Sequence, residues 1–266
     1  MFCITAQSYV GLAGVVKTMN SVRKALQVLE SVADGQPIGV SQLAAALRQP
    51  KSSVQRALET LHEAGWIRPS SGERTRWELT FRASRLARKA GSHFGLREAA
   101  MPHMEELRRA TGETIHLAVF DDTEMVLIER LESAHPVRHV EPLGGRASML
   151  VTATGKSILA RLPRAEVASM HAVALERRAA GSAQPTLPQL ETLLAELDAI
   201  AERGYATTSS WRDGVFATGV AICDQGQRPV AGLSISVPAS RSSDDARALH
   251  ARLLLEHVVQ ISEKLQ

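Results

Sequence analysis

Between residues 20 and 79 the apolar positions first recur every three or four residues and then change to short strand-like runs. Val22, Ala25, Leu26, Leu29 and Val32 predict an amphipathic helix over 20–33. Asn20 is its candidate N-cap, and Asp34-Gly35-Gln36-Pro37 ends it. A shorter helix follows from Ser41, a second candidate N-cap, with Leu43, Ala44 and Leu47 on one face. Gln49-Pro50 interrupts it, because proline cannot continue a helix and disfavours helical geometry in the residue before it. Pro50 suits the first turn of a third helix, in which Val54, Leu58 and Leu61 turn inward. Lys51, Ser52, Ser53, Gln55, Arg56 and Glu59 are then left outside, and Gly65 supplies the stop. Residues 66–68 and 75–79 read as two strands around Pro69-Ser70-Ser71-Gly72, a small wing with Arg74 at its tip and Arg76 on its second strand. A further helix over 80–90 turns Arg82, Arg85, Arg88 and Lys89 outward before Gly91-Ser92 loosens the chain.

The remainder mixes the two periodicities. Helices are predicted over 96–110 (with Pro102 near the start or at a kink), 152–162, 189–203 (closed by Gly204) and 244–265. Strands are predicted over 114–120 and 125–131 around Asp121-Asp122, over 205–208, and over 217–223 and 229–237 joined at Gln225-Gly226. Hairpins interspersed with helices indicate an α+β fold rather than a doubly wound parallel sheet. The chain thus divides into an arm (1–18), a winged helix-turn-helix domain (19–79), a linker helix (80–92) and an α+β domain (93–266). In the last strand Ser234 and Ser236 alternate with Leu233, Ile235 and Val237, so both hydroxyls share one face. That face is either a solvated sheet surface or the polar wall of a binding site.

Composition narrows the class. The 266 residues are 44% hydrophobic and 22% charged, ordinary values for a packed globular protein. Cys3 and Cys223 imply no disulfide framework and fit a reducing cytoplasm. No apolar run is long enough to span a bilayer, and residues 1–18 lack the basic start and cleavage site of a secretory signal. The net charge of +3 hides an asymmetry: residues 19–90 carry 12 Lys+Arg against 6 Asp+Glu, residues 91–266 carry 18 against 22. A polyanion partner is therefore expected for the first module only.

The candidate chemistry agrees. Short hydroxyls, an amide and a guanidinium at the start of the third helix suit phosphate oxygens and base edges in a major groove of double-stranded DNA. Thr154-Gly155-Lys156-Ser157 ends like a phosphate-binding loop, but Leu150 stands where the first glycine is required, so the backbone cradle is missing. Gly155 reads instead as a helix start whose N–H groups can hold a carboxylate. The nine histidines show no metal-ligand spacing, no serine lies in a G-x-S-x-G turn, and no cofactor motif is complete. No catalytic residue is nominated. Two readings remain: a DNA-binding regulator with a small-molecule sensor, or a metabolite-binding or enzymatic domain whose helix-turn-helix is an interaction module.

Three segments in order resemble the IclR family of bacterial transcription regulators. They are LRQPKSSVQRALETLHEAGWI, PLGGRASMLVTATGKSILA, and ERGYATTSSWRDGVFATGVAICD followed by VAGLSISVPASR. The resemblance covers about residues 20–262 and implies a winged helix with a GAF-like effector domain, assembled as a homodimer or homotetramer. It implies effector-controlled repression or activation, often of catabolic operons, and a repressor is the form expected here. Ser52, Ser53, Gln55 and Arg56 match DNA-reading positions, to which Ser41, Lys51, Arg74 and Arg76 add neighbouring contacts. His139, Ala153, Thr154, Ala217, Ser234 and Ser236 match pocket positions, with Gly155 and Trp211 adjoining them. Thr207 and Ser210 stand where relatives carry acidic residues, and Ser148 replaces a usual proline. Less negative charge is therefore expected toward the ligand, which favours a small organic acid or carbonyl compound, aromatic in one form.

Overall fold

The structure is a computed structural model that describes residues 19–71, 75–89, 93–179, 186–209 and 213–265. The arm, Arg74 at the wing tip, Gly91-Ser92, Ser210 and Trp211 lie outside the described residues. The chain forms two compact units that part between Gly91 and Ser92.

The first unit comprises α1 (Asn20–Gly35), α2 (Val40–Ala46), α3 (Lys51–Glu63), β1 (Ile67–Pro69), β2 (Trp77–Leu79) and α4 (Arg82–Lys89). Its core gathers Val28, Val32, Leu43, Val54, Leu58, Leu61, Ile67 and Trp77. Each large apolar side chain buried there contributes roughly 1.5–3 kcal/mol. Two caps differ from expectation. Asn20 is already helical, and Met19 holds the cap position, its carbonyl accepting from Arg23 N–H at 3.2 Å. Ser41 lies inside α2, because Gly39 is the cap residue and the Gln42 amide oxygen reaches back to accept its N–H at 3.2 Å. The buried face of α1 is also rotated: Val28 and Val32 are inside while Val22 and Leu26 are exposed, since only the C-terminal half of the helix lies against the core. The turn before α3 places Arg48 in the left-handed region at φ +51°, where non-glycine residues are uncommon. Gly65, at φ +76°, ends α3 in a Schellman motif, with Gly65 N–H bonded to His62 O and Trp66 N–H to Leu61 O.

The second unit is a three-layer α+β domain. It comprises α5 (His93–Thr111), β3 (Thr114–Asp121), β4 (Glu124–Leu131), β5 (Arg146–Ser148), α6 (Ala153–Leu159), α7 (Arg164–Ala179), α8 (Leu190–Arg203), β6 (Ala206–Thr208), β7 (Val215–Cys223), β8 (Pro229–Pro238) and α9 (Asp244–Glu263). The sheet runs β5-β4-β3-β8-β7-β6 with every neighbour antiparallel. On one face Ile115, Leu117, Val220, Leu233, Ile235 and Val237 pack with Met104 and Leu107 of α5 and with Leu254 and Ile261 of α9. The other face carries α6, backed by Val167 of α7 and by Leu193, Leu197 and Ile200 of α8. α5 continues through Pro102, which leaves the Glu98 carbonyl without its usual helical donor.

Glycines let α6 press directly on the sheet. A Cβ at Gly232 would lie 2.6 Å from Thr154 Cβ, and one at Gly219 would lie 2.8 Å from Thr154 N. Gly155 itself sits against the backbone of Met149, where a Cβ would fall 2.3 Å from the carbonyl oxygen. These distances are below real van der Waals contact, so only glycine permits the approach.

Candidate functional site

In the first unit α3 presents its polar end to solvent. Lys51, Ser52 and Arg56 are exposed, and Ser53 and Gln55 are half-buried. The helix starts on Pro50, which has no side-chain acceptor for the first-turn N–H groups. Its first turn also holds no acidic residue. Such a terminus favours phosphate oxygens. Gln55 Nε2 donates to Glu59 Oε1 at 2.9 Å, so its amide must leave that bond to read a base. Ser41 is exposed on α2, and Arg76 donates to the Pro37 carbonyl at 3.1 Å beside the wing. Arg82 lies over the Trp66 ring, 5.4 Å from its centroid.

In the second unit the sheet register builds a pocket. Ser236 is opposite Ala217 on β7 and Thr114 on β3, and Ser234 is opposite Gly219 and His116. The alternation that buries Leu233, Ile235 and Val237 on one side therefore collects His116, Ser234 and Ser236 on the other, beneath the start of α6. There they line a cavity of about 90 Å³ together with Ala153, Thr154, Ala217 and His139. Ala118, Met125, Leu127 and Val215 make its walls largely apolar. Ser234 and Ser236 are buried, so the face they share is not a solvated sheet surface.

His116 is only partly compensated in the pocket. Its Nδ1 lies 3.2 Å from Ser236 Oγ, and its Nε2 is buried with no hydrogen-bond partner among the described residues. Burial pushes its pKa down to about 3, and the neighbouring His139 and Arg130 act in the same direction. The ring is therefore neutral at physiological pH. His139 packs edge-on at 6.3 Å between centroids, and its Nε2 is 3.1 Å from Glu141 Oε1. Arg130 donates to the Glu141 carbonyl and thereby fixes the segment that carries both residues.

Two expectations about this pocket are corrected. Gly155 does not line it: its N–H donates to Thr152 Oγ1 at 3.1 Å, and its lack of a side chain serves packing against Met149. Lys156 is likewise structural, with its ammonium 2.8 Å from a Glu196 carboxylate oxygen on α8. On β6 the residue facing the cavity is Thr208, not Thr207, because successive side chains alternate. Glu141 and Arg146 also line it, and Arg146 is tied to Glu124 and Asp121 at 2.7 Å each. Spacing could not flag these two, since they lie in an irregular segment and on a three-residue edge strand. His116 was accessible to the same alternation argument as Ser234, but only once its partner strand was known.

Comparison with known proteins agrees with both halves of this description. The profile described as bacterial transcriptional regulator IclR C-terminal matches residues 88–263, and the IclR helix-turn-helix domain matches residues 21–71. The HTH-type transcriptional regulator KdgR of Escherichia coli (strain K12) is 30% identical over 250 residues, 93% of this chain and 93% of that protein. The transcriptional repressor IclR of the same organism is 27% identical over 241 residues, 89% of this chain and 86% of that one. The crystal structure of the Thermotoga maritima IclR aligns with a TM-score of 0.73 at 28% identity, covering 93% of this chain and 99% of that chain. These relatives are transcriptional regulators, not enzymes, which decides between the two readings of the sequence. A helix-turn-helix that exposes its polar end, joined in one chain to an α+β domain with a built pocket, is thus accounted for: the chain belongs to the IclR family of bacterial transcriptional regulators.

Proposed function

We propose that this DNA-binding regulator is a repressor whose hold on its operator is controlled by a compact organic acid or carbonyl compound, aromatic in one form, in the pocket beneath α6. The observation that carries this reading is the convergence of His116, Thr154, Ser234 and Ser236 on one small cavity with apolar walls. The polar cluster orients one end of a ligand, and Ala118, Met125, Leu127 and Val215 receive its body. Walls that are largely apolar favour a few-carbon or single-ring compound over a sugar phosphate. The names of relatives such as the transcriptional repressor IclR support the repressor reading. Regulation follows if the ligand binds one arrangement of a GAF-like, homodimeric or homotetrameric assembly better than another, since only differential affinity shifts an equilibrium.

The test uses the full chain on the DNA upstream of its own gene. A panel of small aliphatic and aromatic carboxylic acids is screened for thermal stabilisation and for release of that DNA by fluorescence anisotropy. The expected result is an acid that does both to the wild type and neither to Ser234→Ala/Ser236→Ala. An acid that stabilises wild type and double variant equally places the effector elsewhere.

A further inference from the structure

On the sheet face opposite the pocket, α5 and α9 meet at a cluster of imidazoles that regulation by the pocket does not use. His103 and Glu106 stand three residues apart on α5 and so share a face of the helix. His257 comes from α9. His103 Nδ1 and His257 Nδ1 are 3.1 Å apart, and His257 Nδ1 is 3.7 Å from Glu106 Oε2. One donor atom from each of the three residues falls within 4.8 Å of the others, the only such group among the described residues. We propose that His103, Glu106 and His257 form a site for a divalent transition metal, with zinc as the best match, that clamps α5 to α9.

The geometry supports this. Zinc binds imidazole nitrogen at about 2.0–2.1 Å, so two nitrogens on one tetrahedral ion lie about 3.3 Å apart. The facing Nδ1 atoms are close to that separation without any movement of backbone. Two imidazoles and a carboxylate suit a borderline metal, and three protein ligands leave a fourth position for water. His103 is buried, which fixes its rotamer, while the Glu106 side chain is 51% exposed and gives the ion a path in.

One neighbour opposes the metal. Lys264 Nζ lies 3.2 Å from His103 Nε2. An ammonium only donates, so in this arrangement His103 carries its proton on Nδ1 and donates it to His257. A metal at Nδ1 displaces that proton and makes Nε2 a donor facing the ammonium. Lys264, exposed at the C-cap of α9, must then swing away. The lysine thus competes with the ion, and its removal strengthens binding.

The experiment titrates zinc alone into the full chain in competition with a chromophoric chelator, and cobalt to read the ligand field. Wild type should take up one equivalent with a tetrahedral cobalt spectrum. His257→Ala should weaken zinc by at least about tenfold, a change that even outer-shell substitutions produce at metal sites. Glu106→Gln, on an exposed side chain, should weaken it without disturbing the fold. Lys264→Met should tighten it. The site is disproved if wild type takes up no stoichiometric zinc, or if Glu106→Gln and His257→Ala both bind it as wild type does. Because none of these residues lines the pocket beneath α6, loss of zinc with an unchanged acid response separates this inference from the effector assignment.

Discussion

His116 ties the stability of the fold to the pocket it lines. Its neighbours on β3, Ile115 and Leu117, face the apolar layer, so strand alternation alone turns His116 to the pocket. Burial then favours the uncharged ring. The sign of the consequence follows from its lowered pKa. Above the unfolded-state value of 6.5 both states are neutral and the stabilisation is complete; as pH falls toward the folded value of about 3, the unfolded chain binds a proton that the native one refuses. Stability therefore declines through that window, by about 2 kcal/mol at pH 5 from this group alone. The lowered pKa values of His103 and His250, both set first by burial, steepen the same slope. Denaturant unfolding at pH 7.5 and pH 5 should show the loss, and His116→Gln should remove the largest part of it. An unchanged difference between the two pH values in that variant refutes the assignment.

At the scale of elements, α3 was legible from sequence because two independent patterns agree on it. Val54, Leu58 and Leu61 fix the buried face, and Pro50 and Gly65 bracket it in the structure as well. Arg56, left on the exposed face, is expected to contact base edges, and each well-made base contact discriminates by roughly 1–3 kcal/mol. Arg56→Ala should therefore weaken operator binding and relax its sequence preference, whereas Lys51→Ala should weaken all DNA alike and flatten the salt dependence. Anisotropy on operator and scrambled DNA distinguishes the two; unchanged operator affinity in Arg56→Ala overturns the recognition-helix assignment. Other elements left weaker traces. α7 buries only Val167, His171 and Ala174 on an alanine-rich surface, so its apolar stripe lacks contrast. β5 is three residues long, too short for alternation to register. The cap of α2 was misplaced because Gln42 reaching back to a glycine leaves no hydroxyl to mark the start. Of the pocket, Ser234 and Ser236 were legible from period two, and Ala153, Thr154, Ala217 and His139 from resemblance. Thr208, Glu141 and Arg146 were not, because cross-strand register and loop closure are tertiary facts.

For the whole molecule, the surface of the first unit bears on assembly. Met19, at the cap of α1, and Val22 and Leu26 within it lie three and four residues apart and are 69%, 50% and 53% exposed, and Phe81, just before α4, and Leu86 within it are 83% and 55% exposed. A single DNA-binding module of this kind buries roughly 600–1,000 Å² on DNA, too little for tight operator binding alone. Two modules on half-sites about 34 Å apart supply the rest. We therefore expect a homodimer or homotetramer by sedimentation at micromolar concentration, with a second copy covering the exposed stripe of α1. Leu26→Glu places an unpaired charge in that contact while remaining compatible with a helix. It should shift the assembly toward smaller species and reduce operator affinity. A lone chain touches one half-site and neutralises half as many phosphates, so the slope of log affinity against log salt should fall by about half. The slope separates this from simple unfolding, which lowers the active fraction without changing the salt dependence of what still binds. A wild-type monomer with and without DNA, or Leu26→Glu with wild-type assembly and slope, would show that the stripe plays no part in it.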